Sequence, residues 1–206
     1  MPNETTFDKV FSWCVSGFVI LVAWNLFYRP IYMGPDDLRA RAMQGRAESQ
    51  YLLGDRLWNR VPWPYSSNPE VALLFFRLAA EQGHLDAQLQ LGDMLGDWRL
   101  YGIEFDPVEA AYWYQLAAEQ GERFAISGLG HLYLSDRANE NMPRDDVQAY
   151  MWLSLALQME TEWNQDSYFF DEFTDRLDEV AAGMTREQIT EAQRLAREWD
   201  EAHPRD

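Results

Sequence analysis

The sequence predicts an all-α fold: a short right-handed solenoid of about three helical-hairpin repeats with C-terminal capping helices, preceded by one transmembrane helix. Three observations carry this. Ala79-Ala80-Glu81-Gln82-Gly83 returns letter for letter as Ala117-Ala118-Glu119-Gln120-Gly121, an offset of 38 residues, and a period of roughly 20 to 50 residues marks a solenoid or array. Within that period, apolar residues such as Leu89, Leu91 and Leu95, or Ala110, Trp113 and Ala117, recur at helical three-and-four spacings. Ahead of the repeats, Val10 to Tyr28 carries no formal charge.

That uncharged segment has nineteen residues, enough for a helix of roughly 28 Å, close to the ~30 Å hydrocarbon thickness of a bilayer. Trp13 near one end and Trp24 and Tyr28 near the other suit the interfaces, where amphipathic rings settle. A cleaved signal peptide wants a basic start, a shorter apolar core and small residues at its exit, whereas Glu4 and Asp8 precede this segment and Arg29-Pro30 follows it. Residues 10–28 are therefore expected to be a retained anchor behind an N-terminal tail, residues 1–9. Ser12, Ser16 and Gly17 are small residues on nearby turns that would let another membrane helix approach closely. The expected location is the cell (inner) membrane, crossed once. Lys9 on one side against Arg29, Arg39, Arg41 and Arg46 on the other favours a cytoplasmic body by the positive-inside count and leaves the periplasmic side open, since long domains cross regardless of charge. Pro30, Gly34 and Pro35 break the helix, so residues 29–46 read as a juxtamembrane segment that starts with a short stiff exit.

From residue 47 to 159 the period governs. A step of 38 takes Ser49 to Ala87 and Ala125, Leu53 to Leu91 and Leu129, and Gly54 to Gly92 and Gly130. The same step joins Phe75, Trp113 and Met151, then Phe76, Tyr114 and Trp152, then Ala80, Ala118 and Ala156. Each unit reads as two helices. Asn68-Pro69 and Asp106-Pro107 place a capping side chain before a proline at the first helical position, where the missing N–H costs nothing. Gly83 and Gly121 sit where a left-handed C-cap would end the second helix. The column of Ser49, Ala87 and Ala125, with the glycines at 54, 92 and 130, would let neighbouring helices pack closely.

These units resemble Sel-one-like repeats, a subclass of tetratricopeptide-type helical hairpins whose units are a little longer than 34 residues. The matching motifs are Ala87-Gln88-Leu89-Gln90-Leu91-Gly92, the run from Ala110 to Gly121, and the run from Asp145 to Ala156, which resembles a closing repeat of bacterial members. The resemblance implies a solenoid whose first helices build a concave face, a surface such arrays use to hold another protein. Two connections depart from the pattern: Leu57 to Pro69, with Trp58 and Pro62-Trp63-Pro64-Tyr65, and Gly96 to Gly102, with Trp98, Leu100 and Tyr101, are both rich in aromatics. A single cysteine, Cys14, excludes the branch of the family that closes each hairpin with a disulfide.

Residues 160–206 are expected to form a helical cap. Glu160 to Glu179 is acidic and interleaved with Trp163, Tyr168, Phe169, Phe170 and Phe173. Phe169, Phe173, Leu177 and Val180 share a helical face suited to docking on the solenoid. Gly183 ends that helix, and Thr185-Arg186-Glu187-Gln188 is a capping box opening a last helix to about Ala202.

Composition narrows the function. With 17 Lys+Arg against 34 Asp+Glu and a formal charge of -17, the chain repels phosphate backbones, so no nucleic-acid partner is expected. One cysteine cannot build a thiolate-rich zinc site. His84, His131 and His203 lack metal-ligand spacing, and neither a phosphate-cradling glycine loop nor an H-E-x-x-H run is present. No catalytic residue, metal, cofactor or small-molecule substrate is therefore expected. The opposing reading is an enzyme or metal-dependent regulator using His131 with nearby carboxylates.

What remains is a surface. The column Asp55, Asp93, His131 keeps the period but changes its letters, as a solvent-facing recognition line would, and Gln50, Gln88, Ile126 and Tyr51, Leu89, Ser127 run beside it. The expected partner-binding residues are Gln50, Tyr51, Asp55, Gln88, Asp93 and His131, with Trp163, Tyr168 and Phe170 from the acidic-aromatic segment; the expected anchor residues are Trp13, Ser16, Gly17, Trp24 and Tyr28. The function they suggest is a non-catalytic, membrane-tethered scaffold that binds a partner protein, as an accessory or assembly subunit of a membrane complex.

Overall fold

The computed structural model describes residues 36–59, 69–97, 103–135, 142–163 and 168–204. The expected anchor, residues 10–28 with Trp13, Ser16, Gly17, Trp24 and Tyr28, lies outside the described residues, as do Asn68 and most of both aromatic-rich connections. Among the described residues no helix is long and apolar enough to cross a membrane. Their helices are α1 (Asp36–Met43), α2 (Ala47–Asn59), α3 (Pro69–Ala80), α4 (Leu85–Gly96), α5 (Pro107–Glu119), α6 (Arg123–Leu134), α7 (Asp146–Trp163), α8 (Tyr168–Ala181) and α9 (Arg186–Ala202). The chain divides into two compact units, one ending at Phe75 and the other starting at Phe76, with the division inside α3.

In the first unit α1 packs on α2 around buried Leu38, Ala42 and Leu53. α1 lies within the segment read as juxtamembrane, and it ends as the repeats do. Gly45, Gly83 and Gly121 all have left-handed backbone, at φ +84, +84 and +85. Each donates its N–H to the carbonyl three residues back, Ala42, Ala80 and Ala118, at 3.0, 2.9 and 2.9 Å. The next N–H then reaches back five residues, from Arg46 to Arg41, His84 to Ala79 and Glu122 to Ala117. This paired C-cap satisfies carbonyls that the helix end leaves orphaned, and only glycine adopts it without a Cβ penalty. Gly45 stands 38 residues before Gly83, so the hairpin geometry begins half a repeat before residue 47.

In the second unit α4 packs on α5, α5 on α6 and α6 on α7, while α8 and α9 both lie on α7. Leu91, Met94, Ile126, Leu129, Leu153 and Leu155 are fully enclosed in its core. The caps follow the sequence reading: Asp106 Oδ1 accepts from Glu109 N–H at 3.0 Å, with Pro107 at the first position. Thr185 and Gln188 complete the reciprocal capping box of α9. α8 buries Phe173, Leu177 and Val180, as its apolar face predicts, but Phe169 stays 40% exposed. Its ring lies edge-on to Phe124 of α6, 6.3 Å away, instead of entering the core.

Candidate functional site

A concave groove of about 750 Å³ opens along the first helices of the second and third repeats, α4 and α6, with α5 beneath them. Leu89, Asp93, Gly96 and Asp97 line it from α4 and its end, Phe124, Ser127, Gly128, His131 and Leu132 from α6, and Tyr114 from α5.

Tyr114 organises the floor. Its ring is 6% exposed, and it reaches the groove only because two helical positions lack side chains. A Cβ on Gly92 would stand 2.4 Å from the ring and one on Gly128 2.7 Å from it, well inside ordinary carbon contact of about 3.5 Å. The ring therefore passes between α4 and α6, and its hydroxyl donates to Asp93 Oδ1 at 2.8 Å. Burial raises the phenol far above its ordinary value of 10.0, and the Asp93 charge and hydrogen bond add to the rise. Tyr114 is thus a fixed donor at neutral pH. Asp93 is exposed at the groove wall, yet crowding by that wall pushes its carboxyl above the ordinary 3.8; the Tyr114 bond pulls it down and Asp97 pushes it up.

The column Asp55, Asp93, His131 is divided between the two units, Asp55 in the first and the other two in the second. Asp93 and His131 line one groove, together with Leu89 and Ser127 from the neighbouring column. Asp55 and Tyr51 are half-buried in the first unit. Gln50 and Gln88 correct the reading, being only 5% and 3% exposed. Each amide turns inward to the carbonyl eight residues earlier, Gln50 to Ala42 and Gln88 to Ala80, both at 3.2 Å. Adjacent helical residues point in different directions, so Gln88 seals the preceding helix end while Leu89 lines the groove. Phe170 is half-buried on α8, and the side chains of Trp163 and Tyr168 lie outside the described residues.

His131 faces Glu172 of α8, with Nε2 4.0 Å from the carboxylate, and packs against the Phe173 ring at 6.3 Å between centroids. Burial lowers its pKa below the ordinary 6.5; Glu172 raises it and Arg176 lowers it further. It is mostly neutral at pH 7. Among the described residues no three His, Cys, Asp or Glu side chains are grouped to hold a metal ion.

The sequence columns held Tyr114 with Phe76 and Trp152 but gave it no part in a site, and they left out Gly128. The available signal was Gly128 itself, a glycine off the period, since the residues 38 and 76 positions earlier are Gln90 and Leu52.

Residues 47–84, 85–122 and 124–160 each match the model of the Sel1 repeat. The chain belongs to the Sel1 repeat family. Sel1 repeats generally mediate contacts between proteins. The Sel1 repeat protein of Oxalobacter formigenes has a similar crystal structure at 26% identity, covering 59% of this chain and 47% of that one, with a TM-score of 0.50. A second similar structure is c5321, a protective antigen present in uropathogenic Escherichia coli strains and displaying an SLR fold. It matches at 21% identity over 81% of this chain and 48% of its own, with a TM-score of 0.37. The match thus spans about half the length of each of these proteins. No curated protein matches the chain.

Proposed function

We propose that this Sel1 repeat protein is a non-catalytic scaffold that holds a partner protein in the groove between α4 and α6, at a membrane entered by residues 10–28. The groove is the observation that carries this reading. It is concave, open to solvent, lined by both apolar and carboxylate side chains, and built where glycines have cleared space for a buried tyrosine to present its hydroxyl. The uncharged stretch from Val10 to Tyr28 supports tethering, and the arginines at 29, 39, 41 and 46 support a cytoplasmic body. An accessory or assembly subunit of a membrane complex fits this combination.

The test is extraction of the tagged full chain in mild detergent, with a photo-crosslinking residue in place of Ser127 in the groove or Gln193 on the exposed side of α9. A stoichiometric partner that co-purifies and crosslinks from position 127 but not from 193 is the expected result. A monomer with no stoichiometric partner, or equal crosslinking from both positions, contradicts it. Removing residues 10–28 should move the protein into the soluble fraction; retention in the membrane pellet would refute the tether.

A further inference from the structure

We propose that the groove receives an extended, arginine-bearing segment of the partner, whose guanidinium seats on the Asp93 carboxylate that Tyr114 holds in place. This rests on the groove being the partner site and adds the chemistry of what occupies it.

The first support is another carboxylate held by an aromatic donor, here one turn along the same helix, and already filled. Glu109 on α5 is held by an aromatic donor, Trp113 Nε1, at 3.0 Å on Oε1. Arg77 then closes on the same carboxylate as a fork, Nε to Oε1 at 2.9 Å and Nη2 to Oε2 at 2.6 Å. Asp93 has the corresponding aromatic donor, Tyr114, but no arginine of the described chain closes on it. A carboxylate fixed in orientation by one donor is suited to the planar two-pronged guanidinium.

The repeats themselves supply the second support. At the register position of Tyr114 the preceding repeat has Phe76, fully enclosed at 0% exposure. Core packing at this position is therefore met without a hydroxyl. The hydroxyl, and the off-period glycine at 128 that admits its ring, occur together where the groove opens.

Charge is the third. Asp93 and Asp97 line the groove, and the neighbouring cations are committed elsewhere. Arg123 bonds to the buried Glu160 at 3.1 Å, Arg176 pairs with Glu179 at 3.3 Å, and burial keeps His131 mostly neutral. An overall charge of -17 adds a field that draws cationic partners in. Leu89 and Phe124 offer apolar contacts in the same groove as the carboxylate, which a peptide with alternating apolar and basic side chains can fill and a bare polyamine cannot.

The experiment measures fluorescence anisotropy of a labelled twelve-residue peptide of alternating leucine and arginine, titrated with the purified full chain in mild detergent. The comparison probes are the same peptide with glutamate for arginine, and spermine as competitor. The arginine peptide should bind, the glutamate peptide should not, and spermine should compete only at far higher concentration. Asp93→Asn should weaken binding about tenfold or more, the usual loss when a charge-assisted hydrogen bond is removed. Tyr114→Phe should weaken it severalfold with the helical circular dichroism unchanged. Asp86→Asn, on the same helix outside the groove, should leave it unaltered. Equal binding of both peptides, equal loss from Asp86→Asn and Asp93→Asn, or spermine competing as well as the peptide would each overturn the proposal. If a crosslinker at position 127 still captures the partner while Asp93→Asn changes nothing, groove docking stands and the arginine seat is refuted.

Discussion

The second and third repeats place the same two register positions differently, and the contrast separates fold from site. In the second, Tyr114 lies buried under Asp93 and sends its hydroxyl to that carboxylate. In the third, the corresponding residues are Trp152 and His131. Trp152 is 4% exposed and its Nε1 is buried with no hydrogen-bond partner among the described residues, while Trp199 of α9 lies edge-on to it at 5.5 Å. His131 turns to Glu172 and Phe173 of α8. The second repeat thus joins its core to an open wall, and the third joins its core to the capping helices. Register fixes where a side chain sits; its polar atoms and its cover decide whether that place can recognise anything.

Removing the aromatic that joins core to groove should have the largest effect. Tyr114→Ala is expected to destabilise the second unit by about 3–5 kcal/mol, the range for emptying a buried aromatic site, read as a fall in denaturation midpoint. A change under about 1 kcal/mol would show that the ring does not organise α4 and α6. Gly128→Ala should come next, costing up to about 2 kcal/mol after the roughly 1 kcal/mol helical gain of alanine over glycine is set against overpacking by the new methyl. In a Tyr114→Ala background the same substitution should become neutral or stabilising, because the ring it meets is gone. Additive losses in that double-mutant cycle would contradict the close approach.

Tyr114→Phe should cost only about 0.5–1.5 kcal/mol, since Asp93 is exposed at the groove wall and is not left buried and unsatisfied. The smallest effects distinguish the two register partners by pH. His131 has a lowered pKa in the folded chain, so the unfolded chain binds its proton first, and stability falls as pH drops below about 6.5 toward the folded value. Asp93 has a raised pKa, so above about 3.9 the unfolded chain loses its proton first, and stability falls as pH rises toward the folded value. Midpoints measured across pH should therefore flatten on the acid side of neutrality in His131→Gln and at lower pH in Asp93→Asn. The same slope lost in both variants would refute the assignment.

Much of this architecture was legible in the letters. The period of 38, the Asp106 and Thr185 caps and the apolar face of α8 are local patterns, each fixed by a few residues. Gly45 escaped because only Ala42, Gln44 and Gly45 keep the repeated string, and Arg39 and Arg41 read as membrane flank. Gln50 and Gln88 looked like surface because they are polar; their burial depends on a carbonyl eight residues away, the end of the preceding helix. Phe169 lies on the expected face of α8 but meets Phe124 at the groove rim, a pairing set by how α8 lies across the third repeat. Asp93 and His131 share a groove because they share a register, whereas the Tyr114 bond needed two glycines on different helices to line up around one ring.

The most direct test of the central claim is quantitative recovery of the partner in mild detergent by the full chain, by Asp93→Asn and by Asp86→Asn. Loss of the partner with Asp93→Asn and full recovery with Asp86→Asn is the predicted result; equal recovery with all three would contradict the seating of the partner on the Asp93 carboxylate.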